Sequence, residues 1–210
     1  MAASPPAPDT TAPDRDAASD RAMLEALLRA AAPFLGAWII SQAAQLSIPI
    51  GDYRVPFTFG DLAVVSMAYC LGPKRGMLGI GIYLAAGALG MPVFAENSEG
   101  VAGSGLRHLL GVTGGYLLGY FLCQPVVGLI IRRKNGTLRG WGALVLAFLA
   151  AQSIIYAVGV PWLWLVKEDA TLRGSIMNGM VIFLPFVPIK CIAAVLIGRI
   201  SAPWAMKRLW

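Results

Sequence analysis

A lysine and an aspartate stand inside otherwise apolar segments of this 210-residue chain, and each is costly there unless something pairs with it. Lys190 falls in the first turn of the apolar stretch that follows Pro188. Desolvation and the positive end of a helix dipole both oppose an ammonium at such a position, and a nearby anion would remove both penalties. That anion is either a solute carrying an acidic group or the side chain of Glu168 or Asp169, unless the lysine snorkels to the headgroup layer. Asp61, early in a short apolar run, also reads two ways. It faces the same cavity as Lys190, or it sits solvated near the membrane surface and caps the helix that follows Pro56-Phe57-Thr58.

Weaker candidates surround these two. Tyr116 follows the paired glycines 114 and 115, which allow a backbone to approach a ligand closely, so Tyr116 and Thr113 suit the wall and polar rim of a pocket. Packing or interface anchoring accounts for an aromatic in a span equally well. Asn97 and Arg107 lie in the longest internal polar stretch and could supply a hydrogen-bonding amide and a second cation, although loop polarity alone explains them. His108 is the only histidine and has no second ligand at metal spacing, so it reads as a surface residue. No Ser/His/Asp set, His-Glu-x-x-His or paired intramembrane aspartates are present, and catalytic, metal and cofactor residues are therefore not expected.

The elements that position these residues are membrane helices. With 57% of residues hydrophobic and 13% charged, the chain lacks the polar side chains to clothe a water-soluble globule. Apolar segments over residues 26–48, 57–71, 77–94, 111–131, 141–166 and 188–201 predict six transmembrane helices, with a Pro-broken re-entrant or interfacial helix before the last. The third is rich in small residues suited to close helix packing. Residues 1–20 carry Pro, Ala, Ser, Thr and Asp with no large apolar residue after Met1, and are expected to be a disordered tail ahead of one membrane domain over 21–210. Cys70, Cys123 and Cys191 are isolated and read as small buried hydrophobes. The net charge of +6 sits in short loops rather than in a stripe suited to nucleic acid. Twelve of the seventeen Lys and Arg residues fall on the side of the amino terminus, which predicts cytoplasmic termini and an external loop between the third and fourth helices.

Four stretches, VPFTFGDLAV at 55–64, LGPKRG at 71–76, LAAGALGMPVFA at 84–95 and LLGVTGGYLLGY at 109–120, together with PFVPIKCIAAVLIG at 185–198, resemble the BioY family in order and spacing. The resemblance implies an all-α, six-helix, biotin-specific S component of an energy-coupling-factor transporter. Such a subunit resides multi-pass in the bacterial cytoplasmic membrane and works with a transmembrane coupling protein and two ATPases. For biotin, Lys190 is the best candidate to meet the carboxylate, and Asn97 could hydrogen-bond the ureido ring from the external loop. The family's usual Gly-Asp-x-x-Lys reads Phe186-Val187-Pro188-Ile189-Lys190 here, so the lysine is kept and the aspartate is missing. Likewise Val112 and Gly60 replace residues common in the family. Asp61 facing the cavity from the second helix would restore an acid. The alternative is an S component for a different vitamin or a biotin-related compound.

Overall fold

The computed structural model describes residues 12–50, 55–96 and 102–210. Seven α-helices carry the fold: α1 (Ala12–Gln45), α2 (Gly60–Ala88), α3 (Gly105–Leu109), α4 (Gly114–Ile131), α5 (Trp141–Val166), α6 (Leu172–Gly179) and α7 (Val187–Arg208). A 3-10 turn over Val181–Phe186 joins the last two. Among the described residues, four helical stretches are long and apolar enough to cross a membrane: Ala17–Gln45, Gly114–Ile131, Trp141–Val166 and Leu172–Arg208. Trp38, Leu129, Leu165, Ile192 and Ile200 are among many large apolar side chains left on the outside. So much apolar exterior calls for lipid rather than water around it.

The two short spans read from the sequence form the single element α2. Gly72 adopts φ 74°, a left-handed conformation that a side chain would strain, and Pro73 follows it, where a missing N–H and fixed φ suit a new helix start. The chain turns back there. Met67 Sδ, before the turn, lies 3.0 Å from where a Cβ would stand on Gly79, after it.

Close helix approach rests on glycines of α4 and α5 as well as on those of the third predicted span. A Cβ at Gly115 would stand 2.3 Å from Trp162, at Gly119 2.8 Å from the Ile155 backbone, and at Gly159 2.4 Å from the Tyr116 ring. Gly115 is thereby committed to helix packing; in the third span a Cβ at Gly79 would stand 3.0 Å from the Pro33 carbonyl of α1, as expected of a packing glycine, whereas Gly81 meets nothing within 4 Å.

Several local expectations change. α1 begins at Ala12, so residues 12–20 extend the first helix, while residues 1–11 lie outside the described residues. The connection after α1 pairs β1 (Ser47–Pro49) with β2 (Pro56–Thr58), and the loop expected between the third and fourth helices pairs β3 (Phe94–Glu96) with β4 (Ala102–Gly103) before α3. Short strands satisfy backbone groups that a coil at the membrane edge would leave open. Cys123 is buried as expected, whereas Cys70 and Cys191 are only partly so, and Cys70 Sγ meets Ser201 Oγ at 2.9 Å.

At the bundle end opposite these hairpins, the carboxy-terminal turn is tied down by arginines and a tryptophan. Arg29 donates to the Arg208 carbonyl at 2.6 Å and Arg75 to that of Leu209. Trp210 donates to the Cys70 carbonyl at 3.1 Å, covers Gly72, and lies 5.6 Å beneath the Arg132 guanidinium.

Candidate functional site

One cavity gathers chemistry from distant parts of the chain. Its lining comes from β2, β3, α3 and the 3-10 turn together with α2, α4, α5 and α7. At its polar end β2 delivers the Thr58 carbonyl, and Gly60 leaves space for the Tyr120 hydroxyl, which would stand 3.0 Å from a Cβ there. Asp61 then falls in the first turn of α2, where its Oδ1 accepts the Leu62 N–H at 2.9 Å and the helix dipole favours an anion.

Lys190, in the first turn of α7, donates to Asp61 Oδ1 at 2.8 Å and to the Thr58 carbonyl at 2.7 Å, and its ammonium lies 4.3 Å from the Phe57 ring centre. Gln152 of α5 donates from Nε2 to Asp61 Oδ2 at 2.6 Å. Asp61, Lys190 and Gln152 are only 8%, 6% and 4% exposed. Desolvating two charges costs about as much as their attraction returns, so the pair's contribution is orientation more than stability. Three helices are held to one geometry at this point.

Phe57, Tyr83, Phe94, Tyr116, Tyr120, Tyr156 and Phe183 line the rest. Toward α3, His108 stacks on Phe94 with ring centres 5.0 Å apart and planes 12° from parallel, and its Nε2 lies 3.4 Å from Thr113 Oγ1. Burial holds the His108 imidazole below its ordinary pKa. The single histidine is thus part of the cavity wall rather than the surface residue expected.

Of the sequence candidates, Lys190, Asp61, Tyr116 and Thr113 share this cavity. The Tyr116 hydroxyl is already spent, donating to the Gly179 carbonyl at 2.8 Å, so Tyr116 contributes a ring face. Arg107 is exposed on α3 and does not line the cavity, because its neighbour His108 takes the inward position. Asn97 lies outside the described residues. For Lys190, the counter-ion is Asp61 rather than Glu168 or Asp169. Sequence reasoning missed Gln152 and Tyr83. Gln152 is a lone amide within the apolar run LAFLAAQSIIY and was open to the argument that singled out Asp61, whereas nothing marked Tyr83 among the aromatics.

A larger cleft runs along α1, the first arm of α2 and α7, but residues such as Leu28, Leu35, Ile39, Met67 and Trp204 make it almost wholly apolar. Ser66 and Cys70 are the few polar side chains on it and it brings no charge, so chemistry rather than size singles out the Asp61–Lys190 cavity.

The BioY family profile matches residues 18–207. The biotin transporter BioY of Thermotoga maritima is 38% identical over 178 residues, which cover 85% of this chain and 94% of the relative. A probable biotin transporter BioY of Pyrococcus horikoshii is 35% identical over 161 residues, covering 77% and 88%. A crystal structure of the S-component for biotin from an ECF-type ABC transporter superposes with a TM-score of 0.70 at 26% identity, covering 84% of this chain and 89% of that one. With a profile match over nearly its whole length and relatives of this similarity, the chain belongs to the BioY family.

Proposed function

We propose that this protein captures biotin and serves its uptake across the cytoplasmic membrane as the substrate-specific component of an ECF-type ABC transporter; it is a transporter subunit and not an enzyme. The observation that carries the reading is the aromatic-walled cavity closed at one end by Asp61, Lys190 and Gln152, in a chain of this family. Biotin combines an apolar bicyclic body, a ureido group with two N–H donors and one carbonyl, and a carboxylate tail. A site for it needs aromatic walls, fixed donors and acceptors, and a cationic end. Thr113 and Tyr116 belong to the wall, while the exposed Arg107 of α3 and Asn97 of the preceding polar stretch are further candidates for contact with the solute. The sequence holds no Gly-Lys-Ser/Thr phosphate loop, so ATP-driven uptake needs an energising module of a transmembrane coupling protein and two ATPases.

Equilibrium binding of labelled biotin to the purified protein tests this, with other vitamins as competitors. Saturable binding displaced by biotin alone is expected, and displacement by another vitamin at lower concentration would transfer the assignment to that vitamin. In the membrane, the two arms of α2 are proposed to count as two of six crossings, with both termini cytoplasmic and residues 21–210 forming the membrane domain. A cysteine placed near Arg133 should then react only from the cytoplasm and one near Glu99 only from outside. Reaction of both from one side would overturn that topology.

A further inference from the structure

Two polar atoms of cavity-lining residues have no hydrogen-bond partner among the described residues. Gln152 Oε1 and the Tyr83 hydroxyl are both buried, on residues 4% and 1% exposed. The other buried unpartnered side-chain atoms, on Ser66, Gln124 and Ser175, belong to residues that do not line this cavity. An unpaired buried polar group destabilises a fold, and one on a residue that lines a cavity can be satisfied by a solute bound there.

The orientation of Gln152 is fixed by chemistry. Asp61 Oδ2 can only accept, so the amide must turn Nε2 toward it, at 2.6 Å, and Oε1 is left as an acceptor on the other side. Tyr83 is held as firmly, its ring edge-on to Phe94 at 5.4 Å and 89°. The lining therefore offers one fixed acceptor next to an ion pair that is neutral as a whole, and one hydroxyl on the aromatic wall.

We propose that Gln152 and Tyr83 are specificity-determining residues that read a neutral cyclic urea: Oε1 of Gln152 accepts a urea N–H and the Tyr83 hydroxyl donates to the urea oxygen. The ring enters first, and the carboxylate tail remains toward the entrance. The positive charge of Lys190 is already matched by Asp61, and a second carboxylate beside Asp61 would be repelled in a site with little water to screen it. This orientation reverses the sequence-based expectation that Lys190 meets the carboxylate. It rests on the reading of biotin as the solute.

The test uses the purified full chain with labelled biotin, and as competitors biotin amide and biotin methylated at each urea nitrogen in turn. Among the described residues the Tyr83 hydroxyl has no partner to lose, so Tyr83→Phe should not lower the unfolding temperature while weakening biotin binding by about three- to tenfold, the value of one hydrogen bond. Gln152→Leu should weaken it by about tenfold or more, because it also strips a donor from Asp61. The wild type should discriminate against one methylated urea, and Gln152→Leu should lose that discrimination, which a merely structural role of Gln152 would not alter. If Gln152→Leu does not fold, Tyr83→Phe decides alone. In the wild type, biotin amide should bind within about threefold of the acid, since no buried charge pair would be broken. Wild-type affinity in Tyr83→Phe, or intact discrimination in Gln152→Leu, would overturn the urea-reading roles while leaving biotin as the solute. A wild type preferring the acid over the amide by more than about thirtyfold would overturn the orientation. A wild type that does not bind biotin would overturn both this inference and the reading on which it rests.

Discussion

The two ends of the helical bundle both bring cations to backbone carbonyls, yet they do so in opposite styles. At the Gly72 end, Arg29 and Arg75 donate to the carbonyls of Arg208 and Leu209, and Trp210 closes over the turn of α2. The Arg29 side chain there is about 40% exposed, with Glu25 as a partly exposed partner. At the hairpin end, Lys190 is buried with Asp61, and among the described residues Gln152 Oε1 and the Tyr83 hydroxyl of the same cavity have no hydrogen-bond partner. Satisfied, half-solvated charge marks a region that anchors the chain. Buried charge next to unspent hydrogen-bonding capacity marks a region that awaits a solute.

The largest effect should come from separating the buried pair. Lys190→Met leaves the Asp61 carboxylate with only Gln152 and the Leu62 N–H, and removing one partner of a buried pair typically costs about 3 to 5 kcal/mol. Thermal unfolding in detergent should show that loss together with abolished biotin binding. The double variant Asp61→Leu/Lys190→Met should recover most of the stability, since an apolar pair of similar volume avoids the desolvation cost, and should still fail to bind. Recovery of binding in the double variant would mean that the pair has no part in recognition.

A smaller and purely structural effect is expected at the other end. Trp210→Ala removes the bond to the Cys70 carbonyl and the cover over Gly72, and for a partly exposed tryptophan the cost should be about 1 to 2 kcal/mol. Biotin affinity and its rank order against competitors should be unchanged. A change of selectivity from this site would show that the two ends are coupled and would undo the contrast between them.

The contrast also explains which features the sequence could carry. Length and apolarity settle a helix, so α4 and α5 fall close to the spans read at 111–131 and 141–166. Pro and Gly settle breaks, so the Gly72–Pro73 reversal and the start of α7 at Val187 lie where those residues stand. The cavity depends on what meets across the bundle, which local pattern does not encode. Asp61 and Lys190 are 129 positions apart and Asp61 and Gln152 are 91, and only the packing of α2 against α5 and α7 brings them together. The cost of burying a charge was legible at Asp61 and Lys190, whereas their mutual partnership was not. The paired glycines 114 and 115 show the reverse error, since a small residue permits close approach without saying to what: their neighbours are Trp162 and the Leu109 carbonyl rather than a solute.

The smallest effect should come from His108, whose position between the two behaviours gives the finest test of the contrast. It is half-buried in the wall, stacked on Phe94, with Thr113 Oγ1 at its Nε2 and the exposed Arg107 beside it in sequence. Burial lowers its pKa, so the folded wall favours the neutral ring and the unfolded or opened wall binds a proton more readily. Stability from this group is therefore complete above the ordinary imidazole value of about 6.5 and is lost as pH falls through that value toward the lowered one. Acidification should thus loosen the entrance while leaving the buried end, whose charges are paired, in place. The rate of biotin release should rise by about two- to fivefold between about pH 7.5 and pH 5, with the unfolding temperature falling only slightly. His108→Phe keeps an aromatic face for Phe94 without a titrating nitrogen and should flatten that rise. An equally steep rise in His108→Phe would place the acid sensitivity elsewhere and reduce His108 to a packing residue.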